Sequence, residues 1–223
     1  MTLHTPIRAC LFDLDGVLVD TAKYHYLAWK RLAQELRFDF TEQDNERLKG
    51  VSRMASLDIL LEIGGISLDD ETKIKLAEKK NGWYVDYISR MDESEILPGA
   101  LAFFQELKAA GILIALGSAS KNAMTILNNT RLVPYFDAII DGTKTASAKP
   151  DPEVFLLGAQ ELGASPAECV VFEDAEAGIE AAARAGMRSI GVGSRTNLAQ
   201  ADEVVSSLQE MSIKRLEEIF SDQ

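Results

Sequence analysis

Two cysteines among 223 residues leave no material for a disulfide framework. Both, Cys10 and Cys169, sit in short apolar runs, where buried free thiols are expected. No apolar stretch reaches the length of a membrane span. The first residues show no hydrophobic leader before acidic residues interrupt them, so a soluble, cytoplasmic chain is expected. Runs of lysine or arginine are missing too. With 23 basic against 35 acidic residues the formal charge is −12, which argues against binding nucleic acid or an anionic membrane. Repeats and low-complexity tracts are also absent. What is present is a chain 47% hydrophobic, enough for one large domain or a domain carrying an insert. A phosphate-bearing ligand would need specific local cations or Mg²⁺.

Patterning divides the chain. After a first apolar run, Ala22–Leu36 reads as a helix, with Thr21, His25 and Trp29 sharing one side at i, i+4 and i+8. Glu42–Lys49, Met54–Ile63 and Asp70–Met91 continue in helical pattern with no convincing strand. Beyond Pro98-Gly99 the character changes. Ile112–Leu116, Ala138–Ile140, Cys169–Phe172 and Ser189–Val192 read as strands, alternating with helices over Ala100–Ala110, Ala123–Asn129, Pro152–Leu162, Ala177–Ala185 and Ile213–Phe220. This predicts an α/β fold: a doubly wound parallel sheet with helices on both faces. The first strand must join that sheet, since the helical block offers it no partner. Residues 1–20 and 95–223 are therefore expected to form the core, and 21–94 an inserted helical cap.

The most informative segment is LFDLDGVLVDT, Leu11 to Thr21. A short apolar run ending at Gly16 reads as a buried strand opening into a loop. Asp13 and Asp15 lie two apart, so along a strand they share a face. Like charges that close are costly unless a metal, a proton or a reacting group relieves them. In doubly wound sheets ligands bind at the carboxyl ends of strands. Other strand ends carry Ser118-Ala119-Ser120, Lys149-Pro150 and Glu173-Asp174. Carboxylates suit Mg²⁺, so Asp13, Glu173 and Asp174 are the expected ligands, with the Asp15 backbone carbonyl as a fourth. Ser118 and Lys149 opposite the metal suit a phosphoryl group, and a helix starting near Asn122 offers backbone N–H donors. Asp13 is then the nucleophile, giving an aspartyl-phosphate, and Asp15 the acid and base. Taken singly, Ser118 and Ser120 also fit a helix cap, Lys149 a solvated loop, and Glu173-Asp174 a helix-start charge pair.

Together LFDLDGVLVDT, GSAS, AKPDP and FEDAEAGI resemble the four motifs of the haloacid dehalogenase superfamily over essentially the whole chain, and the insert resembles its small helical cap. Within it the chain is similar to the β-phosphoglucomutase branch, through DTAKYHYLAWK, LKGVSR, KKN and GSASKN. That resemblance implies Mg²⁺-dependent interconversion of β-D-glucose 1-phosphate and D-glucose 6-phosphate through a phospho-Asp and glucose 1,6-bisphosphate. It implies phosphate contacts from Ser118, Ala119 and Lys149, and a distal phosphate clamp of Arg53 with Ser120 and Asn122. Thr21, His25 and Lys80 become a hinge and cap group, and Gly50, Val51 and Ser52 a sugar-facing loop, with Trp29 and Ser56 nearby in the cap. From the residues alone, His25 reads rather as a partly buried histidine and Trp29 as packing, whereas Arg53 after a Gly–Val–Ser turn is well placed to bind phosphate, a surface arginine capping a helix being the alternative. Departures from the family pattern are Gly117 before the serines, Ala148 before Lys149, and Ala175 after the acidic pair.

The implied partners are small sugar phosphates, with no nucleic acid and no membrane, and a monomer is expected. A Mg²⁺-dependent sugar-phosphate phosphatase is the alternative, with water replacing the sugar as second attacker. A phospho-Asp signalling receiver would need neither the insert nor an acid two residues after its nucleophile. A non-catalytic binding protein would have no use for the paired acids.

Overall fold

The computed structural model describes residues 6–48 and 51–221. Two compact units emerge, one made of residues up to Asp20 and from Asp92 onward, the other of Thr21–Met91.

The first unit is built on six parallel strands: β1 (Ala9–Phe12), β2 (Leu113–Gly117), β3 (Ala138–Ile140), β4 (Cys169–Glu173), β5 (Arg188–Val192) and β6 (Glu203–Val205), in the order β3-β2-β1-β4-β5-β6. The order runs outward in both directions from β1 and β4, so the topological switch point lies between them. That crevice is where a doubly wound sheet binds its ligand. Register places Phe12 beside both Leu116 and Phe172, so Asp13, Gly117 and Glu173 stand level at the carboxyl edge.

Strands covered on both faces need no polar alternation, which is why they read as continuous apolar runs. Ala9 and Leu11 pack with Ala115 and Val171 against α7 (Glu153–Leu162) and α8 (Glu176–Arg184), through Phe155, Ala159, Ala181 and Ala182. The alternate residues turn to the opposite face. There Phe12 stacks on Phe172, with ring centroids 4.6 Å apart, and meets Phe103 and Phe104 of α5 (Ala100–Ala109) edge-on. A short α6 (Ala123–Asn129) follows β2, and α9 (Ile213–Ser221) closes the chain. Cys10 and Cys169 are buried and free, on neighbouring strands.

The second unit contains α1 (Ala22–Glu35), α2 (Glu42–Glu46), α3 (Arg53–Ile63) and α4 (Asp70–Ile88). Thr41 and Asp44 form a reciprocal capping box that starts α2, and the Asp69 side chain accepts from Thr72 N–H to start α4. Trp29, Leu32, Phe40, Leu57, Leu60 and Ala77 make its own core. The helix expected over Glu42–Lys49 stops at Glu46, and Lys49 lies outside the described residues. The helix expected to reach Met91 ends at Ile88. β6 has no counterpart in the sequence reading, because three residues with two half-buried carry no readable period.

Candidate active site

β1 ends at Phe12, so Asp13 stands one residue beyond the ladder, and its N–H still donates to Phe172 O at 2.9 Å. The chain then turns. Gly16 has φ +80°, and a Cβ there would fall 2.1 Å from Asp174 Oδ2, so only glycine lets the turn pass beside that carboxylate. Asp15 is tied to Asp13 by its N–H, which donates to Asp13 Oδ2 at 2.9 Å. The pairing that the sequence reading drew from strand alternation is held here by the turn, since neither aspartate lies within the strand.

Glu173 ends β4 and is buried. Its Oε1 accepts from Ala175 N–H at 3.2 Å. The donor is backbone, so alanine in place of serine at that position costs this contact nothing. Gly178 on α8 is the close neighbour, since a Cβ there would lie 2.0 Å from the Glu173 carboxyl carbon. The glycine of EDAEAG thus makes room for the acid five residues before it.

Lys149 is no solvated loop lysine. Its side chain is 8% exposed, and Nζ donates to Asp13 Oδ1 at 2.5 Å and to Glu173 Oε2 at 2.8 Å. Burial works against its charge, but the two carboxylates outweigh that and raise its pKa. Ser118 is buried just past β2, with its N–H on Ile140 O at 3.0 Å and its Oγ accepting from Ser120 N–H at 3.1 Å. Ser120 Oγ accepts in turn from Asn122 N–H at 3.3 Å. The two serines shape the loop from Ser118 through Ala119 to Asn122. α6 opens directly beyond that loop, with Ala123 N–H donating to Ser120 O at 3.4 Å.

Carboxylate oxygens of Asp13, Glu173 and Asp174 lie within 4.8 Å of one another. Burial raises Glu173 to about 7, against the attraction of Lys149. Burial, then the charges of Glu173, Asp13 and Asp15, raise Asp174 to about 8. One lysine is shared among more acids than it neutralises. An all-oxygen set in that condition fits a hard divalent cation such as Mg²⁺.

The helical unit holds a site of opposite sign. Lys80 on α4 is 2% exposed, and its Nζ lies 2.9 Å from His25 Nδ1. The ammonium donates, so His25 is assigned as the neutral tautomer with its proton on Nε2. Tyr84 stacks on the His25 ring at 4.0 Å, and the Lys80 ammonium lies over the Trp29 ring at 4.4 Å. Burial, then Lys80, then Arg53 hold His25 well below the usual histidine pKa. Burial and then Arg53 lower Lys80 to about 7. Arg53 opens α3 behind the Ser52 N-cap, with Val51, Ser52 and Arg53 all exposed. Gly50 lies outside the described residues. Thr21 precedes α1 and is buried, as is Ser56 on α3, while Trp29 belongs to the unit's core. That position fits the packing role read for Trp29 from the residues alone.

Comparison with known proteins agrees with this geometry. The family described as haloacid dehalogenase-like hydrolase matches residues 7–186. The β-phosphoglucomutase of Bacillus subtilis (strain 168) is 43% identical over 218 residues, 95% of each chain. The phosphorylated carbohydrates phosphatase of Thermotoga maritima is 34% identical over 191 residues, 82% of this chain and 84% of its own. The crystal structure of β-phosphoglucomutase from Clostridium difficile superposes with a TM-score of 0.90 at 43% identity, covering 97% of this chain and 98% of that one. With its acids, its lysine and its switch point arranged in this way, the chain belongs to the haloacid dehalogenase-like hydrolase family.

Proposed function

We propose that this protein interconverts β-D-glucose 1-phosphate and D-glucose 6-phosphate, with Asp13 carrying the phosphoryl group between turnovers. The observation that carries the reading is a second, cationic site on the helical insert of an acidic chain. Lys80 Nζ lies 2.9 Å from His25 Nδ1 there, and the charge of Arg53 acts on both. A phosphatase needs one phosphate site, whereas a bisphosphate intermediate needs two. The 43% identity to a β-phosphoglucomutase across both chains supports the same choice.

In the first half-reaction the 6-hydroxyl of β-glucose 1-phosphate attacks the phosphorus of phospho-Asp13. Asp15 takes the hydroxyl proton, the Asp13–phosphorus bond breaks, and glucose 1,6-bisphosphate forms. The bisphosphate then presents its 1-phosphate. An Asp13 oxygen attacks phosphorus, the sugar oxygen leaves with the proton from Asp15, and glucose 6-phosphate departs from a renewed phospho-Asp13. Lys149 and Ser118 stabilise the phosphoryl group in transfer. Arg53, with Ser120 and Asn122, takes the phosphate that is not reacting, in the bidentate manner suited to a guanidinium. Asp13, Glu173 and Asp174, with the Asp15 carbonyl, would hold Mg²⁺, which neutralises charge on the transferring group. The α/β unit, from Asp92 onward with the first 20 residues, serves as the catalytic core, and Thr21–Met91, three residues shorter than the 21–94 expected from sequence, as the cap that keeps water from phospho-Asp13. The chain acts as a monomer in the cytoplasm.

Phosphorus NMR tests the reading directly. Purified protein with β-glucose 1-phosphate, Mg²⁺ and a trace of bisphosphate is expected to accumulate glucose 6-phosphate. Steady release of inorganic phosphate without it would assign the chain to the phosphatases instead.

A further inference from the structure

Lys149 reaches the reacting carboxylates from a loop, and loops are the least rigid parts of a fold. A charge whose position matters to within a fraction of an ångström needs support from a rigid element. The support comes from the first turn of α7. Glu153 is the first residue of that helix, and its Oε2 accepts two consecutive loop amides, Ala146 N–H at 2.9 Å and Ser147 N–H at 2.7 Å. The segment is closed further by Asp151, whose Oδ1 accepts from Glu153 N–H at 3.0 Å and whose own N–H donates to Ala148 O at 3.0 Å. Two residues along the helix, the buried Phe155 ring lies under the ammonium, with Lys149 Nζ 4.9 Å from its centroid.

Gly117 supplies the space for that ring. A Cβ at Gly117 would fall 2.8 Å from the Phe155 ring carbons. The glycine that sets this chain's second motif apart from the family pattern is therefore matched to the phenylalanine beneath Lys149.

We propose that Glu153 is the positioning residue for Lys149, clamping the 146–147 backbone so that the ammonium stays between Asp13 and Glu173, with Phe155 as its floor. The proposal rests on the reading that Lys149 stabilises the transferring phosphoryl group. Both amides meet one oxygen, so the clamp needs an acceptor at that point and not a full carboxylate. A glutamine amide oxygen supplies it.

The test compares Glu153→Ala, Glu153→Gln and Glu161→Ala in the full chain. Glu161 pairs with Lys144 at 3.2 Å, so it ties the same loop to the same helix away from the clamp. The readouts are sugar-phosphate turnover, the ¹⁵N resonance of the Lys149 ammonium, and Tm. Glu153→Ala is expected to lower kcat/KM on the order of tenfold, as loss of a supporting shell commonly does, and to shift or broaden the Lys149 resonance. Glu153→Gln is expected to recover most of both, and Glu161→Ala to keep the wild-type resonance. An unchanged Lys149 resonance in Glu153→Ala would overturn the proposal, as would an equal loss in Glu161→Ala. Should Glu153→Ala fold poorly, Phe155→Leu keeps a large apolar side chain without the ring face and is expected to shift the same resonance. An unmoved resonance there would remove Phe155 from the proposal. Wild-type turnover stands apart from these outcomes: a wild type without mutase activity would refute the function while the resonance still judged the clamp.

Discussion

The two units solve opposite electrostatic problems by the same means. In the α/β unit Asp13, Glu173 and Asp174 are gathered where solvent screens them poorly, and burial and mutual repulsion lift Asp174 to about 8. In the helical unit Lys80 and His25 are buried beside Arg53, and burial with like charge brings Lys80 down to about 7. Each unit carries charge it does not neutralise internally, and each is thereby suited to a ligand of the other sign. The acidic site calls for a cation, the basic one for an anion. A buried like-charged cluster costs folding free energy when empty, so the acids gathered in the α/β unit point to a cation that repays it. The difference also shows where the chemistry lies. Among the described residues the α/β unit sets the proposed nucleophile Asp13 beside Asp15, the proposed acid, while the proposal asks only recognition of the helical unit.

The sharpest way to break the comparison is at the nucleophile. Asp13→Ala should lower turnover by roughly four orders of magnitude or more, as loss of a covalent nucleophile does, measured by phosphorus NMR. Retained turnover would take the reaction away from the acidic site. Arg53→Ala should cut sugar-phosphate turnover on the order of a hundredfold, while hydrolysis of a small acyl phosphate changes by only about twofold. Equal losses would show that the basic site does not read a second phosphate. Asp174→Asn should weaken Mg²⁺ binding by at least about tenfold in titration calorimetry, and unaltered affinity would move the metal elsewhere.

A smaller effect sharpens the basic side. Lys80 is lowered to about 7 in the folded chain from an ordinary 10.5. Between those values the unfolded state binds more protons, so stability rises with pH from about 7 to about 10.5. Below 7 the burial penalty is present in full, and above 10.5 it is gone. The slope has an upper bound of about 1.4 kcal/mol per pH unit for one group. Both tryptophans, Trp29 and Trp83, lie in the helical unit, so their fluorescence during urea unfolding reports that unit. Wild type is expected to gain stability between pH 7 and 9, and Lys80→Met to lose that gain. A pH-independent wild type would mean that Lys80 is not buried as a charge.

How much of this was legible in the sequence differs between the units for a physical reason. The strands of the core are short apolar runs ending in polar residues, and both features survive in one dimension. Leu113–Gly117 and Cys169–Glu173 were therefore found within a residue at each end, together with the acids and serine that follow them. The cap offered no such markers. His25 read as a packed histidine, because nothing near it in sequence reveals Lys80, which is 55 residues away and 2.9 Å from its ring. Glu153 was invisible for a related reason. A glutamate opening a helix is ordinary, and its role appears only when Ala146 and Ser147 fold back onto it. The spacing in FEDAEAGI did hold a usable signal, since Gly178 stands where the helix passes the Glu173 carboxyl, but glycine inside a helix reads first as a weak helix former.

By itself the sequence determined the parallel sheet, the insert, and which residue types stand at the strand ends, because periodicity and turn residues act locally. Tertiary structure alone decided that Lys149 lies between Asp13 and Glu173 rather than in solvent, that Asp174 nests against Gly16, and that Lys80 is buried against His25. Those outcomes depend on distance and on exclusion of water between residues remote in the chain, and local pattern carries neither.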